Sequence, residues 1–111
     1  AGANMLITTG GMSVDPDDRT RYGLQKAGAC DMVYGSAVLP GAMFMISYLN
    51  GIPVLGIPAC GMYASRTLLD LIYPRVLAGE KITRTDVAAL GHGGLCLKCK
   101  TCTFPICPFG K

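Results

Sequence analysis

The sequence predicts an α/β fold, and three observations carry that reading. A short apolar run, Met5-Leu6-Ile7, stops at Thr8-Thr9-Gly10-Gly11 and is followed by an acidic turn that leads into a helix pattern. From Met32 to Ser65 no charged residue occurs, yet Pro40, Pro53, Pro58 and several glycines interrupt the stretch. A membrane helix needs about twenty continuous apolar residues, so this run reads as buried sheet. Within it, Asn50-Gly51 separates two apolar segments, the strongest short-range signal for a hairpin with a type I′ turn.

Taken in order, Met5-Leu6-Ile7 is the first strand. Asp17 or Asp18 opens a helix running to about Ala27, with Gly28 as its C-terminal stop. Asp31–Tyr34 is a second strand. Residues 42–49 form the outgoing arm of the hairpin and Ile52–Ile57 the return arm; a helix over 42–49 is the alternative, because Ala and Met are poor strand formers. A longer helix is expected over Gly61–Leu77, with Leu68, Leu69, Ile72 and Val76 on one face. Pro74 removes one of its hydrogen bonds and should kink or end it. Thr83-Arg84-Thr85-Asp86 has the form of a capping box, with Asp in place of Glu, and opens a short helix to Leu90. Gly91-His92-Gly93-Gly94 ends that helix as a flexible hinge. Two regions follow: an α/β domain over residues 1–91 and a cysteine-rich tail over 92–111.

A chain of 111 residues has room for one domain with a modest core. Half of it is hydrophobic and 15% is charged, a balance that folds rather than stays disordered. The net charge of +3 is too small to imply nucleic acid. It is unevenly spread: no acidic residue follows Asp86, while Lys98, Lys100 and Lys111 do. The chain opens on Ala1-Gly2-Ala3 and enters a core strand almost at once, without the basic and apolar regions of a signal peptide, so a cytoplasmic location is expected.

The tail holds Cys96, Cys99, Cys102 and Cys107, spaced C-x2-C-x2-C-x4-C-P. Four thiols on so short a segment suit one metal centre. The spacing resembles a bacterial ferredoxin loop, with x4 where that loop has x3, and so points to a 4Fe–4S cluster. Zinc is the competing reading, with Cys107 or His92 as fourth ligand. Disulfides are a third, suited to a secreted protein. Lys98 and Lys100 would offset the charge of bound thiolates. Cys30 and Cys60 read as small buried hydrophobes.

The stretch Asn4–Thr20 resembles the molybdenum-cofactor biosynthesis domain of molybdopterin adenylyltransferases and molybdotransferases, which carry a Thr-Gly-Gly loop after a parallel strand and then an Asp leading a helix. Gly10–Val14 looks closest to the molybdotransferase form, and Asp17–Thr20 is similar to the competence-damage-inducible branch. Leu39-Pro40-Gly41 stands where the family has a Pro-Gly pair, and Val54–Pro58 resembles its Leu-Pro-Gly strand end. The likeness covers about residues 4–79 in the family's own order. It implies a three-layer sandwich around a mostly parallel sheet, with the hairpin added, and a small-molecule pterin as ligand. Thr9, Gly10, Gly11 and Ser13 would line the pterin or its phosphate. Asp18 would hold Mg2+ or position molybdate, with Asp15 and Asp17 able to share that task. Pro40 and Gly41 would form a second wall, and Pro58–Gly61 a helix N-terminus facing an anion.

Two departures stand out. The family flanks its Pro-Gly with lysine, where this chain has Leu39 and Ala42, and its Leu-Pro-Gly-Asn-Pro becomes Ile57-Pro58-Ala59-Cys60-Gly61. The function implied is adenylyl transfer to molybdopterin or molybdate insertion into it. The alternative is a non-catalytic cofactor-binding or docking module with a structural zinc or iron–sulfur knuckle. In the resembled family a further strand precedes the Thr-Gly-Gly loop. An exposed sheet edge is therefore expected here, paired with a second copy or with a missing N-terminal segment. No membrane or nucleic-acid partner is expected.

Overall fold

The first strand, β1 (Leu6–Thr9), is short because Gly10 and Gly11 both take positive φ and turn the chain out of the sheet. The computed structural model describes residues 2–11 and 19–111. Helix α1 (Thr20–Lys26) ends where Gly28 adopts φ +100°, as its stop signal requires. Strand β2 (Cys30–Tyr34) follows, then β3 (Met45–Leu49) and β4 (Ile52–Ile57) as a hairpin. Asn50 and Gly51, at φ +52° and +79°, make its two-residue turn.

The sheet order is β1-β4-β3-β2. Only β1 and β4 run parallel; β4 with β3 and β3 with β2 are antiparallel. The expectation of a mostly parallel sheet is therefore corrected for the described strands. The hairpin and the β2–β3 pair are antiparallel, and they supply two of the three pairings. Between Cys30 and Val33 the ladder slips, with Asp31 at φ +52°. There the fully buried Ser47 hydroxyl donates to the Cys30 carbonyl at 2.9 Å, satisfying an acceptor the irregular pairing frees.

Strand alternation sorts the core onto two faces. Met45 and Val54 face α1, where Leu24 packs on them with Met32, Tyr34 and Leu49. Ile46, Tyr48 and Leu55 point the other way, against Leu68, Ile72, Val76, Ile82 and Val87. Helix, sheet and helix thus form the three layers the sequence implied. The second helix, α2, begins at Leu68 rather than Gly61 and runs to Leu77. Its start is set by Thr67, whose hydroxyl accepts from the Leu69 N–H while the Asp70 carboxylate accepts from the Thr67 N–H. That is a second capping box. Pro74 neither ends nor breaks α2; it lies exposed in the last turns, and its carbonyl accepts from the Ala78 N–H at 3.0 Å.

The capping box at Thr83 and Asp86 opens α3 (Arg84–Ala89) as the sequence predicts. Arg75 joins the end of α2 to this cap, at 3.0 Å from both Glu80 and Asp86. Tyr48 ties the same corner to the sheet: its buried hydroxyl oxygen accepts from the Ile82 N–H at 2.7 Å.

The expected hinge at Gly91–Gly94 is corrected. Leu90–Gly93 is a 3-10 turn, and Leu95 bridges Leu39 through Leu39 N–H to Gly94 O and Cys96 N–H to Leu39 O. The tail then returns to the domain. Phe109 is 4% exposed and belongs to the main core, with Phe104, Cys96 and Cys107 packed beside it. No helix among the described residues is long and apolar enough to cross a membrane.

Candidate functional site

The strand register decides where the singled-out loops meet. Thr9 is opposite Ile57, and Met45 is opposite Gly56. The loop leaving β1 at Gly10, the loop leaving β4 at Pro58 and the loop entering β3 from Pro40-Gly41 consequently emerge at one edge of the sheet. For β1 and β4 this is the carboxyl end of a parallel pair, where α/β sheets place their ligands.

At this edge Gly11 (φ +69°) sits so close to Thr20 that a Cβ there would collide with the threonine hydroxyl. That hydroxyl donates to the Gly10 carbonyl at 3.1 Å, joining the glycine turn to the start of α1. Ser13 and Asp18, with Asp15 and Asp17, lie outside the described residues. Arg21, one residue further along α1, lays its guanidinium 3.8 Å from the Tyr34 ring centre.

Beside the glycine turn a cavity of about 920 Å³ opens between the Pro40-Gly41 loop, the Pro58 loop and the tail. Pro40, Gly41 and Pro58 line it. Thr9, Gly10 and Gly11 are not part of its lining; they stand on the next strand end. Gly61 also lies outside the lining. The helix N-terminus expected there is a 3-10 turn, Ala59–Met62, in which the Gly61 N–H donates to the Pro58 carbonyl. That donor is spent within the turn.

Gly41 is held tightly. Its φ is +123°, and a Cβ would come within 2.8 Å of both the Leu68 Cβ and the Leu68 nitrogen. The Leu68 N–H donates to the Pro40 carbonyl at 3.0 Å. The wall is thereby fixed to the start of α2.

The opposite wall is the cysteine tail. Cys96, Cys99, Cys102 and Cys107 all line the cavity, and Cys60 faces it from the Pro58 loop. Among the described residues, however, no group of three or more Cys, His, Asp or Glu is gathered closely enough to hold a metal ion. Cys96 and Cys107 pack against the core while Cys99 and Cys102 are exposed. The described residues do not assemble a zinc or iron–sulfur site.

Arg66 is not singled out by the sequence reading, and it lines this cavity together with Phe104 and with Cys60, which is only partly buried rather than the buried hydrophobe expected. Arg66 had a signal: it is the first charge after the long uncharged run. What could not be read was that the tail folds back far enough to put Phe104 beneath it, 5.3 Å from the guanidinium carbon.

The family described as "Probable molybdopterin binding domain" matches residues 1–78. No curated protein and no solved structure matches the chain.

Proposed function

This chain belongs to the molybdopterin-binding domain family of molybdenum-cofactor biosynthesis, and from that membership we propose that it holds molybdopterin as substrate at the sheet edge just described. The observation that carries the proposal is the register. Thr9 opposite Ile57, and Met45 opposite Gly56, bring the three loops to one sheet edge, where the Pro58 loop and the Pro40-Gly41 wall line one cavity. In this reading the Gly10-Gly11 main chain approaches the substrate without a Cβ in the way. Pro40, Gly41 and Pro58 supply an apolar wall. Asp18, with Ser13, lies in the sequence between Gly11 and α1 and would hold Mg2+ or steer molybdate. Chemistry then comes from oriented donors and a carboxylate-held cation, with no covalent nucleophile required. The step served is adenylyl transfer to molybdopterin or insertion of molybdate into it.

Titration of molybdopterin, followed by assays with ATP and with molybdate, tests this. Saturable binding that Asp18→Ala weakens, with one of the two conversions present, is the expected result. Absence of binding removes the reading. Binding without either conversion leaves the docking-module alternative, which Leu39 and Ala42 favour, being apolar where the family carries lysine. The proposal extends to assembly: β1 is the outer strand, with Ile7 half exposed, and a second copy pairing along it would cover that edge. A monomer by sedimentation at high concentration would remove that part.

A further inference from the structure

The lining of the 920 Å³ cavity carries two cations, Arg66 and Lys98, and no carboxylate among the described residues. Arg66 is the less solvated of the two. It is half-buried immediately before the Thr67 cap, where α2 begins. One terminal nitrogen donates to the Ser65 carbonyl at 2.6 Å, and the guanidinium lies over Phe104. Its Nε is buried and has no acceptor among the described residues. None of the described ion pairs engages it; those join Arg75 to Glu80 and Asp86, and Lys81 to Asp31.

This arrangement is energetically costly, and Arg21, which stacks on Tyr34 outside the cavity lining, shares the buried Nε without an acceptor among the described residues. A buried donor left without an acceptor destabilises the fold, and more so when it carries charge. The guanidinium cannot neutralise itself by losing a proton. Stacking on Phe104 uses only its face; with Nε buried and one terminal nitrogen given to Ser65, the second terminal nitrogen is the donor left for a ligand. A planar donor fork in an apolar wall matches a phosphate or carboxylate, whose two oxygens accept side by side. The wall has no acid to compete, and Lys98 adds to the positive potential. The chain also has Leu39 and Ala42 where the resembled family places lysines beside its Pro-Gly pair, so the anion-binding charge must come from elsewhere. Arg66 lines the same cavity as the Pro40-Gly41 wall, two residues before the Leu68 that is bonded to Pro40.

We propose that Arg66 is the anion anchor of this cavity, binding the phosphate monoester of the pterin substrate while the apolar wall and Phe104 contact the body of the molecule. This rests on the pterin reading above. Lys98, exposed on the tail, attracts the anion but does not fix its orientation.

The test uses the full chain and two pairs of probes, measured by calorimetry: 6-hydroxymethylpterin with its phosphate monoester, and benzyl alcohol with benzyl phosphate. The wild type should bind the pterin phosphate about 10- to 100-fold more tightly than the alcohol, the range of a charge-assisted pair. Arg66→Met should reduce that ratio to about threefold or less, Arg66→Lys should keep part of it, and Lys98→Ala should leave most of it. If a folded Arg66→Met chain keeps the full ratio, Arg66 is not the anchor, and the pterin reading survives alone. If benzyl phosphate binds as well as the pterin ester, and through Arg66, the anchor stands while the pterin reading fails. If neither phosphate binds, the anchor is overturned. Should the variants not fold, the native chain serves. Either phosphate should protect Arg66, and not Arg84, from an arginine-directed dicarbonyl reagent followed by peptide mass analysis; unprotected Arg66 refutes the proposal.

Discussion

Replacing Gly41 by alanine tests how firmly the cavity wall is joined to α2. The added Cβ would stand 2.8 Å from the Leu68 nitrogen and 2.8 Å from its Cβ, well inside contact distance, so either the loop or the helix start must move. Loop movement stretches the 3.0 Å bond from the Leu68 N–H to the Pro40 carbonyl and the equal one from the Phe44 N–H to the Gly41 carbonyl. Overpacking of this kind costs about 1–3 kcal/mol. A left-handed φ for an L-residue adds about 1–2 kcal/mol. The expected loss of stability is then about 2–5 kcal/mol, and a domain of this size loses about 4–8 °C in Tm per kcal/mol. Gly51→Ala is the matched control: its φ is also positive, at +79°, but nothing lies within 4 Å of the new Cβ. It should cost only the backbone part, about 1–2 kcal/mol. Urea unfolding of both variants, followed by far-UV circular dichroism, gives the comparison. If the two agree within about 0.5 kcal/mol, Gly41 is not packed against Leu68 as described, and the wall is not anchored there.

Tyr48→Phe removes the only acceptor shown for the buried Ile82 N–H and should cost about 1–3 kcal/mol, read from the urea midpoint. Asp86 has its pKa held below the ordinary 3.8 by the Thr83 N–H first, then by the Thr83 hydroxyl and Arg75. Its stabilisation is therefore complete above about pH 4 and lost as pH falls through the lower folded value, so Asp86→Asn should flatten the acid limb of a stability–pH curve. Lys81 is shifted the other way, raised above 10.5 by its bond to Asp31, so its contribution holds below that pH and fades only in strong alkali. Phe109→Ala, truncating a side chain that is 4% exposed, should cost about 3–5 kcal/mol; a change under about 1 kcal/mol would mean the tail is not part of the core.

The parts of this fold that were legible in the sequence are those set by local chemistry. Asn50-Gly51 needs positive φ twice in succession and so named the hairpin and both its strands. Gly28 and the Thr83–Asp86 box marked helix ends for the same local reason. The start of α2 was missed although Thr67 and Asp70 form the same kind of box, because Gly61, Ala64 and Ser65 before it gave no clear break in an apolar pattern. The direction of strand pairing was not readable from strand composition. A fully buried antiparallel arm such as Met45–Leu49 lacks the polar alternation that usually distinguishes it from a parallel strand. The candidate site divides along the same line. Pro40, Gly41 and Pro58 could be named from motif order, whereas Arg66 acquires its surroundings only when residues far along the chain fold back.

That return of the tail changes how the domain should be understood. The family match ends at residue 78, yet Ile82, Val87 and Phe109 lie in the same buried cluster as Val33, Ile46 and Leu55. The sheet face that packs on α2 is thus completed by residues beyond the matched region. The bridge between Leu39 and Leu95 fixes the tail to the residue before Pro40, so the Pro40-Gly41 wall of the cavity and the cysteine segment share one short connection. The four tail cysteines also line the cavity themselves, so the tail meets it both directly and through Leu39. Ligand affinity should accordingly follow the packing of residues 95–109 even when the glycine turn at Gly10 is untouched.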